Sequence, residues 1–336
     1  MEYKAYQTIY MPVSQFIFAI GYLTFRESLT GFKFIYILFD LGVILLLHRL
    51  LVEEKRDPLQ VIWYAWCPLP ITEIALAGHQ DVVGVFLMLL AFVLVLRKKT
   101  VLWGAVALVA AGLTKGFALL LIPLFVRKFG KPFAMVAAVT LIYLSLPLLV
   151  YIKQFDHGMN QYLVTVNVNS GLFHGVAEIL STILRYPMIT TKYIFDAIIL
   201  IAIYWSCRTV PVTSLELIRR SFVVLAVLLL SVPTMFPWYL LWLLPLLPLL
   251  GRTPSWAFIV LSGLEVLLYT YYIAMMPLWW IPIAEYVPFY LILVWEYRRW
   301  VSRSGSTHGY HLIEDALRPL ACNAIRLFSP KTRERG

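Results

Sequence analysis

Apolar residues run through this chain in long blocks separated by short polar or basic knots. The blocks cover 33–51, 59–77, 82–96, 132–152, 191–207, 221–232, 239–250, 255–273 and 284–297. A helix needs about 20 apolar residues to cross hydrocarbon, so the pattern predicts an all-α, polytopic transmembrane bundle in which several spans are short. Lys and Arg gather between the blocks, at Lys55-Arg56, Arg97 to Lys99, Arg127-Lys128-Lys131, Arg208 with Arg219-Arg220, Arg252, and Arg298-Arg299-Arg303. Cytoplasmic loops carry an excess of these residues, and one alternating path places every cluster on that side. The loops 72–81, 153–190, 233–238 and 274–284 then face outward.

Two stretches fit this threading only as irregular elements. Between Lys99 and Arg127 lie 27 residues, too many for one straight span and few for two, with Thr114-Lys115-Gly116 in the middle. The spacing predicts a broken pair of short helices with Lys115 at the outer turn, since irregular backbone at membrane depth is tolerated where it lines a cavity. If the helix from Lys33 runs inward, Met11 to Phe25 begins and ends outside. It is predicted as an interfacial or re-entrant N-terminal helix.

Composition agrees with a membrane protein. The chain is 61% hydrophobic and only 14% charged over 336 residues, against about a quarter charged in soluble domains. Residues 1–300 read as one helical membrane domain, with no room for a separate folded extramembrane domain. Residues 301–336 read as a basic cytoplasmic tail with a possible amphipathic helix around Leu312 to Phe328, suited to anionic headgroups. The net charge of +10 is spread between apolar blocks, where it orients the chain and meets lipid, so nucleic acid is not an expected partner. Cys67, Cys207 and Cys322 show no Cys-x-x-Cys or Cys/His spacing, which predicts neither disulfide nor structural zinc. The start, Met1 to Gln7, does not read as a signal peptide.

The polar knots carry the candidate chemistry. Glu73, His79 and Asp81 stand close together in apolar sequence, where one acidic residue at the centre of a membrane helix costs roughly 2.5 to 3.5 kcal/mol. They imply protein partners or water. A carboxylate can take a proton or hold an incoming hydroxyl, and a histidine can shuttle protons or contact a phosphate; alternatively, the knot caps the helix that starts at Val82. Lys115, flanked by Gly112 and Gly116, is a point charge that could bind phosphate or snorkel to the surface. Trp238 and Tyr239, in Phe236-Pro237-Trp238-Tyr239, could stack on a sugar or contact a phosphate, or simply anchor a helix at the interface. Asp40, Asp196 and Glu265 read as isolated acids making interhelical hydrogen bonds.

Several blocks, taken in order, are similar to those of the multi-spanning GT-C glycosyltransferases that use polyprenyl-phosphate sugars, closest to family 87 and the mannosyltransferases. They are Tyr10-Met11-Pro12, Phe39-Asp40-Leu41-Gly42, Ala65-Trp66-Cys67-Pro68-Leu69 with Glu73 and Gly78-His79-Gln80-Asp81, Leu113-Thr114-Lys115 with Pro123, Asn169-Ser170-Gly171-Leu172-Phe173, Pro237-Trp238-Tyr239-Leu240-Leu241-Trp242, and Ala284-Glu285-Tyr286-Val287-Pro288. Met11 and Cys67 stand where the family usually has Pro and Asn.

The resemblance implies transfer of a sugar, most naturally mannose, from a polyprenyl-phosphate donor to a lipid-linked glycan or glycolipid. The reaction would take place on the outer face, with inversion and no nucleotide. It assigns Asp81 and Glu73 to acceptor or base roles, His79 and Lys115 to the donor phosphate, and Trp238 with Tyr239 to sugar or phosphate contact. The membrane would be the plasma membrane of a prokaryote or the endoplasmic reticulum of a eukaryote. It names no resident metal and leaves divalent-metal dependence open.

Family members also carry a membrane helix and an outer-loop catalytic aspartate before the Tyr-Pro-Pro helix. Here only Glu2 precedes it as an acid, so either the sequence starts inside a longer one and is inactive as it stands, or Glu73 or Asp81 does the work of the base. A lipid or solute transporter and a noncatalytic membrane subunit are the alternatives outside catalysis.

Overall fold

The computed structural model describes residues 8–165, 169, 171–251, 255–274 and 280–304, and contains no strand among them. Residues 305–336 of the basic tail, Arg252 and the N-terminal Met1 to Gln7 lie outside the described residues, as does part of the 274–284 loop. Helix Leu29–Glu53 fills 25 residues and is capped by Ser28, whose hydroxyl accepts from the Gly31 N–H. Helix Pro187–Cys207 starts on a proline, whose missing N–H is no loss in a first turn. These two helices are long and apolar enough to cross a membrane.

Among the described residues a third span exists only if Lys131–Ser145 and Leu148–Met159 count as one, and they meet at 81°. The sequence predicts a single span over 132–152; Pro147 stands at the break and cannot supply the N–H that would continue the ladder. Three further departures follow, the first two with the same cause. The block 59–77 folds as short helical pieces, Pro58–Val61, Ile62–Ala65, Pro68–Pro70 and the π-turn Ile71–Leu76, punctuated by its prolines. The block 239–250 folds as the 3₁₀ turns Pro237–Trp242 and Leu244–Leu246 and then Leu247–Leu250, because Pro245 and Pro248 interrupt any α-ladder. The described part of the expected outer loop 153–190 is largely helical: it holds most of Leu148–Thr165, all of Gly171–Ser181 and the start of Pro187–Cys207.

The proline-broken 237–250 segment is the centre of the core. Leu240 to Leu250 are all buried, Trp242 completely, as befits a segment that is apolar on every side. Around it pack Leu29–Glu53 and the helical hairpin Asp81–Val95 with Val101–Lys115. At Gly84 three elements come together: a Cβ there would sit 2.3 Å from Thr114 Oγ1 and 2.4 Å from Trp242 Cη2. The second hairpin helix ends where the sequence predicts the break, at Lys115. Gly116 takes φ +91° as its cap, and the chain continues through a 3₁₀ turn into Ile122–Phe129.

Several of the basic clusters meet near the Glu53-Glu54 end of Leu29–Glu53. Arg49 and Arg97 both reach Glu53, at 3.7 and 3.5 Å. Lys128 Nζ donates to the carbonyls of Pro211, Val212 and Thr213 at 2.7, 3.1 and 3.0 Å. Arg220 donates to the Ser206 and Thr209 carbonyls and pairs with Glu216. At the opposite end of Leu29–Glu53, Lys33 donates to the Leu76 carbonyl, and this end holds the candidate site.

Candidate functional site

Asp81 lies in the first turn of its helix and Lys115 is the last residue of the next one. Each therefore stands at the helix end whose partial charge favours it. The hairpin brings them together: Lys115 Nζ lies 2.6 Å from Asp81 Oδ1, with the side chains 17% and 3% exposed. The same carboxylate oxygen accepts from Trp242 Nε1 at 3.0 Å. Asp81 is thus committed to two donors. The ammonium also faces aromatic rings, 3.9 Å from the centroid of Tyr239, 5.6 Å from Phe117 and 6.0 Å from Trp238. Such ring faces attract a cation and leave Lys115 favourable surroundings on the side away from Asp81.

Beside this pair stands a three-layer stack. Trp238 lies parallel to Phe236 at 4.4 Å and 10°, and His79 covers Trp238 at 3.7 Å and 18°. His79 Nδ1 is 2.9 Å from Glu73 Oε2. Glu73 projects from the π-turn, a distortion often found at functional sites. Gly78, at φ +81°, turns the chain so that His79 N–H bonds the Glu73 carbonyl at 2.8 Å.

The N-terminal helix Pro12–Phe25 closes the floor. The fully buried Ser14 hydroxyl lies 2.9 Å from both the Thr114 carbonyl and the Gln80 side-chain oxygen. One hydroxyl proton serves one acceptor. Turning the Gln80 amide so that Nε2 donates to Ser14 leaves that proton for Thr114 and gives the otherwise unpartnered Nε2 a role.

All six residues singled out from the sequence, Glu73, His79, Asp81, Lys115, Trp238 and Tyr239, therefore meet in one site. Trp242 as a donor to Asp81, the Ser14–Gln80 floor and Phe117 are additions. Their sequence signal is weak, since a Trp, a Ser and a Phe in apolar runs look like core. The isolated acids sort differently. Asp40 accepts from Tyr64 OH at 2.6 Å, an interhelical bond as expected. Asp196 pairs with Lys192 on its own helix at 2.7 Å. Glu265 is not isolated: Asn169 Nδ2 donates to it at 3.2 Å and to Glu285 at 2.7 Å. Those two partners belong to two further blocks of the GT-C resemblance. No protein-family model matches this chain, and no curated protein matches it.

Proposed function

We propose that this chain is a multi-pass GT-C-like glycosyltransferase that takes a sugar, in first place mannose, from a polyprenyl phosphate. The observation that carries the reading is the meeting of Lys115, Tyr239, Trp238 and His79 around one partly open corner: a cation, two aromatic faces and an imidazole suit a sugar phosphate. Lys115 is the more exposed member of its ion pair and is the group to turn toward the donor phosphate, while Asp81, held by Trp242, positions it. Glu73 beside His79 is the general base for the acceptor hydroxyl. In a single displacement the acceptor O–H proton passes to Glu73 and the oxygen bonds the anomeric carbon. The bond from that carbon to the phosphate oxygen breaks, and its electron pair leaves on the phosphate, where Lys115 meets the charge. The exposed apolar faces of Pro12–Phe25 and Pro187–Cys207, among them Phe16, Leu23, Tyr193 and Leu200, suit lipid contact.

The test is transfer of radiolabel from polyprenyl-phosphate mannose to lipid in membranes holding the protein, with a version extended upstream beside it. Label should move into glycolipid and be lost in Lys115→Ala. Full activity in both Asp81→Ala and Lys115→Ala, or none in any wild-type form, sinks the reading. Buried acids within helices also suit a transporter; solute uptake into proteoliposomes without sugar transfer would put that reading first.

A further inference from the structure

A second polar cluster lies in the helical region formed by Trp256–Ala274, Trp280–Ser304 and the turn at Asn169. Glu265, Glu285 and Asn169 are all essentially buried, at 0%, 0% and 1% exposure. The Asn169 amide nitrogen is the donor to both carboxylates, and the backbone on either side of the Tyr286 ring is closely packed. Tyr286 OH bonds the Asn169 carbonyl at 2.8 Å, and a Cβ on Gly171 would run into the Tyr286 ring at 2.4 Å.

Three oxygens remain without a hydrogen-bond partner: Glu265 Oε1, Glu285 Oε1 and the side-chain oxygen of Asn169. The last is not an acid, and its isolation is independent of the carboxylate pairing. Among the described residues, the charged groups acting on Glu265 are Glu285 and Glu73, both of its own sign. Two carboxylates buried with one neutral amide as donor are far from charge balance, and an uncompensated buried ion costs several kcal/mol. A single shared proton leaves one charge in place, and full neutrality by protons needs one on each carboxyl. A dication neutralises both charges at once and can accept a lone pair from each of the three unpartnered oxygens.

We propose that Glu265, Glu285 and Asn169 bind a hard divalent cation such as Mg²⁺ or Mn²⁺. An all-oxygen donor set with two carboxylates fits that class. Among the described residues no three His, Cys, Asp or Glu side chains converge, so the Asn169 oxygen is a required ligand and water completes the shell. The cluster shares no residue with the Lys115 corner, although Glu73 acts on Glu265, and the inference does not use the transfer reading.

The experiment uses the full chain, purified in detergent and stripped with a chelator. It is titrated with Mn²⁺ alone, and free Mn²⁺ is read by electron paramagnetic resonance. Wild type should take up one Mn²⁺ per chain. Glu265→Gln and Glu285→Gln should each weaken uptake by at least about tenfold, while Asn169→Asp, which keeps an oxygen ligand and adds a charge, should retain it. In thermal unfolding, Mn²⁺ should stabilise wild type and Asn169→Asp but neither glutamine variant. Wild type that binds no Mn²⁺ overturns the proposal, whether or not the variants fold. So does unchanged uptake in the folded Glu265→Gln, Glu285→Gln double variant, and so does uptake abolished instead by Asp81→Asn.

Discussion

Lys115 and Asp81 are 34 residues apart in sequence and 2.6 Å apart in space, joined because one ends and the other begins a helix of the same hairpin. Their pairing places the most useful cation of the site against Tyr239 and beside Trp238. It also means that removing either partner strands the other as a buried charge.

That asymmetry predicts the behaviour of three variants. Asp81→Leu and Lys115→Met alone should each lower stability by about 3–5 kcal/mol, the usual cost of orphaning one half of a buried pair. The double variant should recover most of it, since an apolar replacement of similar volume is often neutral or better. Thermal unfolding in detergent checks this. Sugar transfer should stay lost in the double variant, which separates the structural part of the pair from the functional part.

Gly84 gives a prediction of the opposite kind, an addition where nothing is removed. A methyl there meets Thr114 Oγ1 and Trp242 Cη2 at about half an ångström inside any tolerated contact. Gly84→Ala should destabilise by about 1–3 kcal/mol through overpacking, despite its higher helix propensity. Because the displaced ring is the donor to Asp81, the variant should also lose transfer activity at temperatures where it remains folded.

Four of the six candidate residues were legible in the sequence for one physical reason: charge is expensive in apolar surroundings, so Glu73, His79, Asp81 and Lys115 stood out, whereas Trp238 and Tyr239 showed only as aromatic residues after Pro237, a pattern shared with interface anchors. Their rough co-location followed from alternating basic clusters. The break at Lys115 was legible from length and from Gly116. Trp242 was not, because its indole N–H matters only once Gly84 lets it approach Asp81. Neither was the Asn169 link between Glu265 and Glu285, residues 20 positions apart on separate helices that meet only through a third element. The prolines were visible, but the sequence does not say whether each kinks a span, as Pro147 does, or dissolves it into 3₁₀ turns, as Pro245 and Pro248 do.

Trp238 carries His79 on one face and Phe236 on the other. Trp238→Phe keeps an aromatic surface and should raise KM for the donor only slightly. Trp238→Ala removes both stacking contacts, worth about 0.5–1.5 kcal/mol each, and frees His79 to leave Glu73. It should raise donor KM by about tenfold and lower kcat as well. Steady-state kinetics on both variants distinguishes this from a purely structural role, in which Phe and Ala would fail in parallel with loss of folded protein.

Sidedness provides the last prediction. Helix Leu29–Glu53 has 25 residues, and at 1.5 Å each it is roughly 37 Å long, enough to cross a hydrocarbon core of about 30 Å. Its Glu53 end lies with Arg97 among the basic clusters, while its start adjoins the exposed turn at Arg26 and Glu27. If those clusters face the cytoplasm, Lys98→Cys should react with a membrane-impermeant maleimide only after the membrane is opened. Glu27→Cys should react in intact cells. Both sites are exposed, so a failure to label marks the side and not burial. Labelling of both from the same side would refute the alternating path and, with it, the outward placement of Lys115 and Trp238.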